Sequence, residues 1–204
     1  MINAKFTSPP ELTFDEERHI YKVSGKPIQS VTHYLSPLTS QIYGDINRDI
    51  LDKAADRGTA VHFAIELFTS FGATEIAPEY QAYFNAFLAW KNKYNPLIVA
   101  SEFRVYHPVY WYAGTLDLIV EIGGKIILVD VKCTAELKSF LVSVQGAAYA
   151  EAAKSHGVFV DEIAALHLKP DGTYTYEKYE QKKAFNIFLN CMAVQNYLDG
   201  SVKK

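Results

Sequence analysis

The sequence predicts an α/β fold in one domain, with a central mixed, largely antiparallel sheet flanked by helices. Three observations carry that expectation. The 204 residues are 49% hydrophobic and 21% charged, enough for one core and too apolar for a disordered chain. Apolar residues recur with a period of about two in some segments and about 3.6 in others. Glycine and proline separate these segments at short intervals, and no linker or internal repeat divides the chain.

The elements follow from local patterning. Leu12-Thr13-Phe14 and His19-Ile20-Tyr21-Lys22-Val23 alternate, and Ser24-Gly25-Lys26-Pro27 supplies a turn, so an N-terminal hairpin is expected over about 11–35. Ser30 or Thr32 can cap a short helical turn before Pro37. A helix is expected from Asp45 to Phe71, with Val61, Ile65 and Phe68 on one face and Gly58 as a soft spot. A second runs from Glu79 to Tyr94, where Tyr80, Tyr83, Phe84, Phe87 and Leu88 form a stripe and Asn95-Pro96 ends it. Strands are expected from Leu97 to Tyr106, Trp111 to Ile122 and Lys125 to Cys133. An Ala-rich helix follows from Leu137 to Ser155, stopped by His156-Gly157. Glu162 to Leu168 and Thr173 to Tyr179 flank Pro170-Asp171-Gly172, a hairpin turn, and a last helix spans Lys182 to Leu198. The hairpin and helix over about 162–198 elaborate a domain that occupies 1–204.

Composition limits the partners. No apolar run approaches the roughly 20 residues of a membrane span. Met1 precedes a polar, Pro-containing stretch, so no secretory signal is expected. Cys133 and Cys191 make neither a disulfide framework nor a metal spacing, and a reducing cytoplasm is the expected compartment. The net charge of −3 advertises no broad basic surface for nucleic acid.

The segment from Gly114 to Lys132 carries the chemistry. Gly123-Gly124 is a two-residue hairpin signal between two β-rich runs, so Ile122 should face Lys125. That register sets Asp117 opposite Asp130 and Thr115 opposite Lys132, all on one face. Leu118, Val120, Ile127, Val129 and Val131 form a wholly apolar opposite face, while Ile119 and Leu128 continue the polar face as a buried wall. Two facing carboxylates in apolar surroundings repel unless a proton or cation lies between them. Hard divalent cations such as Mg²⁺ or Mn²⁺ suit such oxygens. A salt bridge from Lys132 to either aspartate is the simpler reading of the same residues.

Gly114-Thr115-Leu116-Asp117, then Asp130-Val131-Lys132, then Gln145-Gly146-Ala147-Ala148-Tyr149 on the next helix resemble the PD-(D/E)XK nuclease superfamily, in particular its RecB-like and phage exonuclease branch. Gly58-Thr59-Ala60-Val61-His62 upstream resembles that branch's Gly-x-x-x-His motif. Glu102 matches its acidic residue on the neighbouring strand, and Thr13 to Val31 is similar to the N-terminal hairpin of phage-encoded members. The resemblance covers about Phe14 to Tyr149. It implies a restriction-endonuclease-like core and hydrolysis of DNA with one or two Mg²⁺ or Mn²⁺ ions. Asp117 and Asp130 would be the metal-binding carboxylates, with the carbonyl of Val131 and the imidazole of His62 as further ligands and Glu102 as a peripheral one. Lys132 would position the attacking water or stabilise charge on the phosphate. Gln145 and Tyr149, four apart on one helix face, would orient the lysine or contact the scissile strand.

The same resemblance implies a phage or prophage exonuclease of recombination or repair, acting on DNA ends in the cytoplasm of a bacterium or phage-infected host cell. A single-strand-annealing protein as partner and an oligomeric assembly are in keeping with it, and a membrane is not. Two cysteines exclude the four-cysteine iron–sulfur cluster of some RecB-like relatives. A structure-specific or single-strand endonuclease of the same fold is an alternative, as is a catalytically silent DNA-binding or assembly module.

Supporting residues have simpler readings too. His62 would serve equally as a half-buried helix histidine, and Glu66, one turn on, would orient its ring or stay solvated. Glu102 has Arg104 on its own strand as an ion-pair partner. The aromatic stripe of the 79–94 helix reads as core. Tyr21, Tyr34 and Tyr43 are candidates for base stacking. Of the 20 Lys and Arg, seven lie in residues 1–60, three in 61–120 and ten in 121–204, so DNA contact is expected from the regions flanking the site.

Overall fold

A computed structural model describes residues 6–179 and 182–202. The remainder of the 1–204 domain expected from sequence lies outside the described residues.

The chain opens with β1 (Leu12–Asp15), β2 (Ile20–Val23) and β3 (Lys26–Ser30), an antiparallel meander. The expected hairpin therefore has a third strand. Its turn shrinks to Ser24-Gly25, both at positive φ, and Lys26-Pro27 joins the sheet opposite Val23 and Lys22. Ser30 caps α1 (Val31–Tyr34), its hydroxyl accepting from the His33 amide at 3.0 Å. A helix unforeseen from sequence follows, α2 (Ser36–Tyr43). Pro37 sits in its first turn, where no intrahelical N–H is needed, and so begins a helix instead of ending one.

Asn47 caps α3 (Arg48–Phe71) by accepting from the Asp49 amide, and Gly72 ends it in the left-handed conformation. Gly58 does not interrupt it. A 3₁₀ turn at Pro78–Tyr80 leads into α4 (Gln81–Tyr94), whose stripe is core as expected, with Phe87 and Trp90 fully buried. Then come β4 (Leu97–His107), β5 (Tyr112–Ile122), β6 (Lys125–Lys132), α5 (Ser139–Lys154), β7 (Glu162–Leu168), β8 (Tyr174–Tyr179) and α6 (Lys182–Val202).

The eight strands form one mixed sheet. β3–β5 and β6–β7 are parallel and the other pairs antiparallel. Both faces are covered, as the doubly apolar hairpin required. Val31, Val144, Ala148 and Phe188 from α1, α5 and α6 pack on one side with Ile119 and Leu128. Val61, Ile65, Phe87 and Trp90 from α3 and α4 pack on the other with Leu118, Val120 and Val129. Among the described residues no helix is long and apolar enough to cross a membrane.

One irregularity of the sheet positions everything that follows. β4 pairs with one edge of β5 from Glu121 back to Tyr112. The opposite edge is shared: β3 holds Tyr112 and Ala113, and β6 holds Leu118 to Ile122. Between them, residues 114–117 pair with neither strand. The sheet forks there.

His107 latches the β4–β5 turn. Its Nδ1 accepts from the amides of Val109 and Tyr110, both at 3.2 Å, and burial holds its pKa below the usual histidine range. A depressed histidine stabilises the fold above its unfolded pKa of about 6.5, and that contribution is lost as pH falls through the folded value. His107→Asn can present Oδ1 to the same amides and cannot protonate. Thermal melts between pH 7.5 and 5 should therefore fall less steeply for His107→Asn than for the parent, and equal slopes would refute the latch.

Candidate metal and phosphate site

The hairpin register expected from Gly123-Gly124 is present, from Ile122↔Lys125 to Leu118↔Val129. The ladder stops one pair short of the aspartates. At the fork the side chain of Asp117 takes over, Oδ2 accepting the Val131 amide at 2.6 Å. Asp117 thus bonds to the backbone beside Asp130 and does not pair with it across the ladder. Thr115, expected opposite Lys132, instead faces Arg104 on β4, and its hydroxyl meets that of Tyr21 at 2.8 Å.

His62 approaches the fork from α3. Its Nε2 donates to the Val131 carbonyl at 3.1 Å, fixing the ring so that Nδ1 faces Asp117 Oδ1 at 3.5 Å and Glu102 Oε1 at 3.8 Å. His62, Glu102 and Asp117 each offer one ligand atom, and all three lie within 4.8 Å of one another. Glu102 is held there at a backbone φ of 47° in mid-strand, left-handed and unusual for a non-glycine residue. Such a conformation costs about 1–3 kcal/mol and needs surrounding structure to impose it. Arg104 is not its partner: the guanidinium lies 3.3 Å from Glu16 and over the Phe14 ring. Glu66 lines the same cleft, yet the ring's hydrogen bond goes to Val131.

The electrostatics follow from burial and crowding. Burial opposes a charged His62, but Asp117 and Glu102 outweigh it and push the ring up to about 9. Burial raises the Asp117 carboxyl against the pull of His62 and Lys132. The trio therefore holds a proton where two carboxylates converge, the place a cation would take. Two carboxylate oxygens and an imidazole nitrogen, already gathered, fit a divalent cation. His62, Glu102 and Asp117 would hold it.

Asp130 stands apart from this trio, buried and paired with Lys132. The ammonium donates to Oδ1 at 2.9 Å and lies 2.8 Å from Oδ2, which accepts no aligned hydrogen bond. Burial pushes Asp130 up to about 6 even with Lys132 beside it. Burial disfavours the charged Lys132, yet Asp130 and Asp117 raise its pKa above the usual lysine range, so it is an ammonium at neutral pH. Gln145 Oε1 takes a second Lys132 proton at 3.3 Å, and Gln145 Nε2 donates to the Tyr149 hydroxyl at 3.2 Å. Tyr149 is buried, and burial raises its pKa well above the usual tyrosine range, so it is a neutral phenol. Its ring is seated against Gly114, where a Cβ would collide with Cε1.

The metal-ligand and catalytic candidates from sequence thus gather at the fork, in two groups: His62, Glu102 and Asp117 in one, and Asp130, Lys132, Gln145 and Tyr149 in the other. The Val131 amide and carbonyl lie between them. An open cleft of ≈ 830 Å³ exposes His62, Glu102, Thr115 and Lys132. Other histidines are engaged elsewhere: His33 with Asp199, His156 with the Tyr106 carbonyl and His167 with the Thr134 carbonyl. Cys133 and Cys191 are buried thiols. Tyr21 and Tyr34, considered for stacking, are 4% and 6% exposed and belong to the core. Sequence reasoning missed Arg57, whose Nε donates to the Cys133 carbonyl at 2.8 Å and anchors the end of β6 to α3. It also passed over Phe63. Residue type gave no signal for either, although Phe63 next to His62 marks a helix face that is not core.

No family model matches the chain, and no curated protein does. Solved structures do overlay on it. The crystal structure of an alkaline exonuclease, LHK-Exo, from Laribacter hongkongensis is 14% identical with a TM-score of 0.38, covering 70% of this chain and 83% of that one. LHK-Exo in complex with dAMP is 14% identical with a TM-score of 0.41, covering 86% of this chain and 93% of that one.

Proposed function

We propose that this chain is a divalent-metal-dependent deoxyribonuclease, using Mg²⁺ or Mn²⁺ and acting from DNA ends as an exonuclease. The observation that carries this reading is the convergence at one fork of His62, Glu102 and Asp117 with an ammonium, Lys132, facing the same cleft. The motif resemblance supports it, and extends it to recombination or repair in a phage or prophage setting, with a single-strand-annealing partner. When bound, the cation supplies a more acidic water and charge neutralisation at the phosphate.

The chain's own groups supply the rest. Lys132 has three donor protons. Asp130 and Gln145 engage two, leaving the third for a phosphate oxygen in the cleft. Because it is an ammonium, Lys132 stabilises developing negative charge instead of removing a proton from water. Tyr149 orients the Gln145 amide so that its oxygen, not its nitrogen, meets the lysine. Asp117 and Glu102 hold His62 in place and keep Nδ1 directed at the site.

Incubation with end-labelled linear DNA and closed-circular DNA, with Mg²⁺, Mn²⁺ or a chelator, tests this. Linear DNA should be consumed with either ion, circles spared, and the chelator should stop the reaction. Nicking of circles would replace the exonuclease by an endonuclease. Inertness on every form, or full activity with chelator, would overturn the enzyme and leave a silent DNA-binding module.

A further inference from the structure

Resting on the nuclease reading above, we propose that the cleft receives an unpaired nucleotide, its base stacked on Phe63 and its backbone met by Arg104. Phe63 follows His62 directly and is 58% exposed, although Val61, Ala64 and Ile65 around it are buried. A lone exposed aromatic needs no explanation by itself. This one lines the cleft that also exposes His62 and Glu102, and a second aromatic wall lines it too. In that wall the half-buried Phe14 lies on the buried Tyr21, 4.3 Å between centroids and 26° between planes, with His19 edge-on to Phe14 at 5.0 Å, so Phe14 and not Tyr21 supplies the ring surface. The wall is braced from below by the Tyr21–Thr115 hydrogen bond. One cleft therefore presents apolar ring surface on two sides of a polar floor.

Arg104 adds charge to the same wall. Its guanidinium lies 5.5 Å from the Phe14 centroid and 3.3 Å from Glu16, whose side chain is 78% exposed. An ion pair so open to water is weak, and a phosphate displaces the carboxylate readily. Rings that accept a base face, with a cation on their rim, match one chemistry: a nucleotide whose base has left its stack. Inside a duplex each base face is covered by its neighbours, so away from an end Phe63 can reach only a frayed or single-stranded nucleotide. The cleft thereby selects unpaired strand next to the residues proposed to cleave it.

The test measures binding of a single-stranded oligothymidylate carrying one 2-aminopurine, and of a closed-circular duplex, which has no free end. Ca²⁺ replaces Mg²⁺ to hold turnover back. The full chain is compared with Phe63→Ala and Phe63→Trp. The parent should favour the single strand and quench 2-aminopurine. Phe63→Ala should weaken single-strand binding roughly 5- to 100-fold and lift the quench, while duplex binding stays unchanged. Phe63→Trp should restore both. Phe63 is exposed, so the alanine variant should melt with the parent. Parent-like binding and quenching by Phe63→Ala would overturn the stacking site and leave the nuclease reading intact. Equal losses on duplex and single strand would overturn the selectivity. Failure of the parent to bind either form would overturn the site, and the cleavage assay then decides separately whether the nuclease reading stands.

Discussion

Asp117→Asn is expected to reduce DNA cleavage on the order of 10³-fold or more while leaving the fold nearly as stable as the parent. The two oxygens of Asp117 have separate duties. Oδ2 accepts the Val131 amide at the fork, whereas Oδ1 faces His62 in the trio. Asparagine keeps one carbonyl oxygen for the amide and turns its NH₂ towards Nδ1 and Glu102. A donor then stands where a cation needs an acceptor. Loss of several kcal/mol of charge stabilisation in the transition state corresponds to about three orders of magnitude in rate. Asp117→Ala differs in kind, because it also strands the Val131 amide, and a buried unsatisfied donor costs about 1–3 kcal/mol. Cleavage rates and melting curves for the two variants separate the duties. A parent-like rate for Asp117→Asn would remove Asp117 from the site.

Lys132→Met should impair both cleavage and folding. Removing a preorganised cationic donor is expected to slow the reaction about 10²- to 10³-fold. The variant also leaves Asp130 buried without its ammonium, and breaking a buried pair in this way destabilises by about 3–5 kcal/mol. The pH dependence has a definite sign. Asp130 titrates near 6 in the fold, pushed up by burial, against about 4 when unfolded. A raised carboxyl favours the fold fully below its unfolded pKa, and that contribution is lost as pH rises through the folded value. Lys132 is the main influence pulling Asp130 down, so its removal extends the loss to higher pH. Lys132→Met should therefore melt closer to the parent at pH 5 than at pH 8. Asp130→Asn added to Lys132→Met should recover stability at pH 8 without recovering cleavage. A variant gap independent of pH would show that Asp130 is not the group left exposed to the change.

Both variants act on residues the sequence made visible, and the reason is local. A two-residue turn at Gly123-Gly124 sets hairpin register without help from the rest of the chain, so the approach of Asp117 to the Asp130–Lys132 strand can be read from spacing alone. Gln145 and Tyr149 share a helix face by the same arithmetic. What spacing does not reveal is where pairing stops. The parallel contact of β3 with Tyr112 and Ala113 joins segments more than 80 residues apart, and no nearby residue announces it. Because that contact creates the fork, the amide-capping role of Asp117 was illegible. So was the left-handed backbone of Glu102, a residue type without special preference for it. Tyr21 and Tyr34 show the complement: an aromatic near the site is a stacking candidate by type, whereas long-range packing makes both core.

The fork also has a mechanical consequence. Within the sheet, among the described residues, the β1–β3 meander and the β6–β8 block are joined through β5, and they stand as two flaps on either side of the β4–β5 spine. Arg104 and Phe14 line the cleft from the spine and meander, and Lys132 lines it from the opposite flap. Any polyanion touching both sides is a staple across the seam. Occupancy would then tighten the whole sheet and raise its melting temperature with the logarithm of ligand concentration.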